Sequence, residues 1–129
     1  MKYDVIFEPF TERHYVRTFA KKYKQAWERT ISGLILEFTF VDLLFKKSIA
    51  ESITDKNADI VICKTEFKIA GTNVSRHASG NRCIIAIHKS ENKVCVLFVY
   101  GKTDLSSGNE TAEWKNVIRE NYSEYRKYI

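Results

Sequence analysis

The sequence predicts one α+β domain spanning residues 1–129. In it an N-terminal strand and a helical hairpin pack on an antiparallel sheet of about four strands, followed by a C-terminal helix. Three observations lead there. Helical apolar periodicity runs from Thr11 to Ile53. From Ala58 it gives way to short apolar runs bounded by Gly, Asn and Ser. A helical stripe returns after Glu110. Strands and helices are segregated along the chain, not alternating, and that favours α+β over a parallel α/β sheet.

Each element has its own signal. Tyr3–Phe7 is a β-like run ended by Pro9, and Thr11 is a suitable N-cap for a following helix. Tyr15, Val16, Phe19, Ala20 and Tyr23 form its apolar stripe, with Lys21, Lys22 and Lys24 near the end where they suit the helix dipole. A second helical pattern covers Ala26–Ile53, with the stripe Trp27, Ile31, Leu34, Ile35, Phe38, Val41, Leu44 and Phe45. A strand around Phe38–Val41 is the alternative there, and the length of the pattern decides for helix. Ile60–Cys63 and Glu66–Ala70 are short strand runs. Arg82–His88 and Lys93–Tyr100 are the strongest strands, joined as a hairpin by Lys89-Ser90-Glu91-Asn92. Both are apolar almost throughout, as strands covered on two faces are. Gly101–Asn109 reads as a loop, and Glu110–Tyr128 as a helix with Trp114, Val117, Ile118, Tyr122 and Tyr125 on one face.

Composition narrows the function. Hydrophobic residues make up 44% of the chain, enough for a packed core and against disorder. The three cysteines, Cys63, Cys83 and Cys95, are odd in number and widely spaced, which argues against a secreted disulfide framework. The N-terminus carries no signal-peptide pattern. The most apolar stretch, Ile31–Phe45, includes Glu37 and Asp42 and is too short to span a bilayer. The expectation is a soluble cytoplasmic protein with no membrane association. The net charge is +5, and residues 60–103 hold seven basic and two acidic residues, so the whole excess lies in that window. A local positive field of this kind favours a polyanion, nucleic acid foremost.

No Cys/His set has metal-ligand spacing, and no G-x-S-x-G or phosphate-loop motif occurs. Neither a metal nor another cofactor is expected. The basic window is more informative. Lys64, Lys68, Arg76 and Arg82 precede or open the central strands, and Tyr100 and Lys102 close the last one. Antiparallel pairing of the two strong strands brings Arg82 near Tyr100 and Lys102. Strict alternation puts Val94, Val96, Phe98 and Tyr100 on one face. Such a groove of cations with an aromatic at its rim suits cleavage of an RNA phosphodiester by its own 2′-hydroxyl. That reaction needs proton transfer and charge stabilisation but no protein nucleophile. The competing assignment is structural: solvated strand-end lysines, a loop cation at Arg76, and an ion pair of Arg82 with Glu66 or Asp104.

Several segments, taken in order, resemble the RelE/ParE superfamily of toxins from type II toxin–antitoxin systems. Phe19-Ala20-Lys21-Lys22-Tyr23-Lys24 is similar to the end of that family's first helix. Phe67-Lys68-Ile69 with Arg76 resembles its basic strand and following arginine. Gly80-Asn81-Arg82-Cys83-Ile84-Ile85 is similar to its G-x-x-R strand, and Val96–Lys102 to its last core strand, which often ends in Y-x-K. Glu110–Lys115 resembles the helix that follows in longer members. The resemblance implies a RelE-like fold. It also implies a metal-independent, ribosome-associated mRNA endonuclease (an mRNA interferase) that inhibits translation and is neutralised by a cognate antitoxin. Position by position it points to Lys68, Arg76, Arg82 and Tyr100 as catalytic residues. Arg82 and Arg76 would serve the phosphate, Lys68 or His77 proton transfer, and Tyr100 base stacking or proton sharing. Lys64, His77 and Lys102 would contact RNA. The superfamily also includes DNA gyrase inhibitors of the ParE kind, and a non-catalytic RNA-binding module is a further alternative.

Overall fold

The computed structural model describes residues 2–105 and 108–129. Strand β1 (Asp4–Phe7) leads into α1 (Pro9–Tyr15), a π-helical turn (Val16–Ala20) and α2 (Lys21–Tyr23). After a break at Lys24 come α3 (Gln25–Thr39) and α4 (Val41–Lys46), then β2 (Ala50–Ser52) and β3 (Ile60–Phe67). The short α5 (Arg76–Ser79) precedes β4 (Asn81–His88) and β5 (Lys93–Gly101). A 3-10 turn (Lys102–Asp104), α6 (Glu110–Asn121) and a 3-10 segment (Ser123–Tyr128) complete the chain. Of the loop expected over Gly101–Asn109, Ser106 and Ser107 lie outside the described residues.

The fold is α+β, but the sheet is larger and less regular than expected. It has five strands in the order β1-β5-β4-β3-β2, and it is mixed: β1 runs parallel to β5, while the other pairs are antiparallel. Helices cover one face and the C-terminal segment covers the other. Phe19, Trp27, Leu34, Phe38, Val41 and Leu44 pack on Val61, Cys63, Phe67, Cys83, Ile85 and Ile87. Trp114, Ile118, Tyr122 and Tyr125 pack on Ile62, Ile84, Ala86, Leu97 and Phe98. With both faces covered, every residue of β4 is buried, which explains its unbroken apolar run.

The departures have local causes. Pro9 starts α1 at its first position, where its missing N–H costs nothing. Thr11 is therefore not a cap. It is fully buried, and its hydroxyl donates to Val96 O at 2.8 Å. The expected helix over Ala26–Ile53 breaks at Phe40 (φ −117°, ψ 47°), which turns Val41 and Leu44 into the core. Ser48, at φ 57°, then reverses the chain into β2. The two runs Ile60–Cys63 and Glu66–Ala70 join as one strand ending at Phe67, so Lys68 lies beyond it. The C-terminal helix stops at Asn121 and continues as a 3-10 segment.

One irregularity sets up the site. The β4–β5 register slips between Ile84 and Ile85: Ile84 faces Phe98, whereas Ile85 faces Val96. The extra residue in β5 is Leu97, a bulge that reverses side-chain alternation. Val94 and Val96 therefore face the helical layer, and Phe98 and Tyr100 face α6. The expected shared face for these four residues is corrected accordingly. Without the bulge Tyr100 would point away from Arg82. Thr11 donates to Val96 O, and the Tyr122 hydroxyl donates to Leu97 O at 2.6 Å, so both carbonyls at the bulge have partners.

His88 ends β4 under the C-terminal segment. It is 9% exposed, and its Nε2 lies 2.7 Å from the Tyr125 hydroxyl. Burial, with help from Lys93, holds its pKa below the ordinary 6.5. The unfolded chain therefore takes up a proton first as pH falls. Stability is full above about pH 6.5 and declines below it. Urea unfolding midpoints at pH 7.5 and 5.5 test this: the drop should shrink in His88→Gln. An equal drop in parent and variant would show that His88 is not held neutral.

Candidate functional site

Register alone assembles the centre of the site. Glu66 on β3 faces Arg82 on β4, which faces Tyr100 on β5. One step along, Lys64 faces Glu51 on β2 and Ile84 on β4. Lys64, Glu66, Arg82 and Tyr100 share the sheet face that α6 covers, but α6 begins only at Glu110. The strand ends beside it are left open as a cleft of about 250 Å³, lined by Glu51, Lys64, Glu66, His77, Arg82, Lys102 and Glu110 with Ser48 and Ile49.

Arg82 is the floor. Its side chain is 3% exposed. Nη2 lies 3.0 Å from Glu66 and donates to His77 O at 3.3 Å, while Nη1 donates to Asn81 O at 3.0 Å. A planar guanidinium serves these acceptors from two separate nitrogens in one fixed fork, where an ammonium offers a single point charge. Glu66 Oε2 also meets His77 Nδ1 at 2.7 Å. His77 sits on α5, capped by the Ser75 hydroxyl, which accepts from Ala78 N–H at 3.0 Å. Its imidazole is 82% exposed, so the second ring nitrogen is open to a ligand.

Glu110 forms the opposite wall. As the first residue of α6 it suits the positive end of the helix. One carboxylate oxygen accepts from the Tyr100 hydroxyl at 2.6 Å and lies 3.9 Å from Lys64 and 4.0 Å from Arg82. The other lies 3.6 Å from Lys102. Lys64 is also 3.9 Å from Glu51. Burial, then the bond to Glu110, pushes the Tyr100 phenol far up, so it stays protonated at neutral pH.

The residues singled out from sequence therefore divide. Lys64, His77, Arg82 and Lys102 converge on the cleft. Tyr100 touches it only through Glu110; its ring is fully buried and stacks on Phe98, which removes it from base stacking. Arg76 points elsewhere. Its guanidinium grips Glu37 on α3 through two bonds of 3.0 and 2.7 Å and donates to Glu66 O at 3.2 Å. Lys68 is exposed and lies 3.4 Å from Thr72 O, outside the cleft lining. Of the two partners weighed for Arg82, the structure brings Glu66.

The cleft is also not the bare cationic groove that the charge window suggests. Lys64, Arg82 and Lys102 meet Glu51, Glu66 and Glu110. Glu51 and Glu110 fall outside residues 60–103, so counting along the chain missed them. The Lys64-x-Glu66 spacing was a usable signal, because residues two apart on a strand share a face.

All three cysteines are free and buried, and burial raises the thiol pKa of each, that of Cys63 to about 12. A low-pKa thiolate nucleophile therefore does not fit these positions. Among the described residues no His/Cys/Asp/Glu group is placed to hold a metal ion, and no helix is long and apolar enough to cross a membrane. No family model, no curated protein and no solved structure matches this chain.

Proposed function

We propose that this chain is a toxin of the RelE/ParE kind that cleaves mRNA on the ribosome without a metal and is held in check by a cognate antitoxin. The observation that carries the reading is the His77–Glu66 pair at the mouth of a cleft that also presents two lysines. A carboxylate bonded to Nδ1 fixes the imidazole and leaves Nε2 to exchange protons, the logic of a base with its orienting acid. In this reading Nε2 removes the proton from the RNA 2′-hydroxyl. The 2′-oxygen attacks phosphorus, and the P–O5′ bond breaks. The leaving 5′-oxygen receives a proton from a cleft ammonium, giving a 2′,3′-cyclic phosphate and a 5′-hydroxyl. Lys64 and Lys102 balance the charge that builds on the phosphorane. Arg82 is a positioning residue: it holds Glu66 and the carbonyl of His77.

Expression of the chain followed by mapping of mRNA 5′ ends tests this directly. New 5′-hydroxyl ends should accumulate within translated messages and vanish when translation is blocked beforehand. Growth arrest with intact mRNA would overturn the reading. Arrest with lost DNA supercoiling would replace it with gyrase inhibition, and RNA retention without cleavage with a binding module.

A further inference from the structure

A second cavity, of about 210 Å³, lies at the same strand ends but on the other face of the sheet. Asn81 precedes Arg82 and pairs with Gly101, so the two neighbours send their side chains to opposite faces. Arg82 floors the first cleft. Asn81 lines the second, with Phe19, Tyr23, Ser79, Gly101 and Asp104. The ridge between the cavities is tied by Lys102 N–H donating to Gly80 O at 2.8 Å.

Three features of this cavity ask for a ligand. Asn81 is only 8% exposed, yet its carboxamide has no hydrogen-bond partner among the described residues. Its amide atoms are not sealed off from solvent; they open onto the cavity, where a ligand can take the place of water. Gly101 has φ −99°, which any residue adopts, so space and not backbone demands glycine there. A Cβ would come within 2.9 Å of the Asp104 carboxylate and 3.3 Å of the Asn81 carboxamide oxygen. The missing side chain keeps those polar groups together at the cavity. Finally, the half-buried Tyr23 ring forms one wall, tilted 26° from Phe19, with the Lys22 ammonium 5.2 Å from its centroid.

We infer that this cavity is a nucleobase subsite, taking the base of a nucleotide whose phosphate occupies the Lys64–Lys102 cleft. The inference rests on the RNA-cleaving reading above and adds a substrate contact to it. A carboxamide offers a donor and an acceptor side by side, the pattern that reads a base edge, and an aromatic wall supplies stacking. Tyr23 thus supplies the stacking that the buried Tyr100 cannot.

The test titrates the ¹⁵N-labelled full chain with ribose 5-phosphate and with each of the four nucleoside 3′-monophosphates. At least one nucleotide should bind about tenfold tighter than ribose 5-phosphate and shift the Asn81 side-chain amide signals, in keeping with a stacked and hydrogen-bonded base. Asn81→Ala and Tyr23→Leu should each remove most of that advantage while leaving ribose 5-phosphate binding unchanged. Tyr23→Leu is the safeguard, because its site is half-buried and tolerates change better than a strand interior. Equal affinities with unmoved Asn81 signals would overturn the subsite and leave the phosphate cleft standing. Nucleotide shifts at Asn81 without any ribose 5-phosphate binding would keep the subsite and overturn the cleft's role. Binding of no probe would overturn both.

Discussion

Replacing Arg82 by alanine is expected to lower folding stability by about 3 kcal/mol and to abolish activity with it. The guanidinium is 3% exposed and lies between two carboxylates. Removing it leaves Glu66 and Glu110 facing one another with less positive charge. Their side chains are 29% and 20% exposed, so partial rehydration keeps the cost at the low end for a broken buried ion pair. Two backbone carbonyls, of Asn81 and His77, lose donors as well. The loss of the second loosens the backbone at His77, although Arg76 and Ser79 still tie α5 to α3 and β3. Arg82→Lys keeps the charge but not the fork, and should recover part of the stability and little of the activity. Urea unfolding of the three proteins checks this. An Arg82→Ala midpoint equal to that of the parent would show that the guanidinium does not hold the site together.

His77→Ala should behave in the opposite way. The imidazole is 82% exposed, so stability should stay within about 0.5 kcal/mol of the parent. Cleavage should fall by roughly 10²–10⁴-fold, the usual contribution of a positioned proton-transfer group. A variant that cleaves at the parental rate would remove His77 from the chemistry and return proton transfer to a lysine. Together the two substitutions separate a residue that builds the site from one that acts in it.

Much of the sheet was legible because its signals are local. The β4–β5 hairpin is two apolar runs around a four-residue turn, and its register follows from the turn. Continued unbroken, that register would set Arg82 opposite Val99; the bulge at Leu97 shifts the pairing by one residue and brings Arg82 to the expected Tyr100. Strand β2 was not legible: Ala50–Ser52 is three residues with no alternation to mark it, at the tail of an apolar helical pattern. Nor was the parallel pairing of β1 with β5, since nothing near Asp4 or Lys93 encodes so distant a partner. The bulge at Leu97 is equally silent in a run of apolar residues. At the site, the cations stood out as a charge excess. Their carboxylate partners were spread over three separate stretches of chain, and only the fold gathers Glu51, Glu66 and Glu110.

The pairing of β1 with β5 also bears on when the molecule becomes itself during synthesis. Within the sheet, β1 is made before its partner and must wait for Lys93–Val96 before it has a neighbour. Loop-closure entropy is met late, and a nascent chain tethered at the exit tunnel has no complete sheet until β5 has cleared it. The Glu110 wall of the cleft emerges later still. A copy made only as far as β4 therefore carries neither a finished core nor a finished cleft.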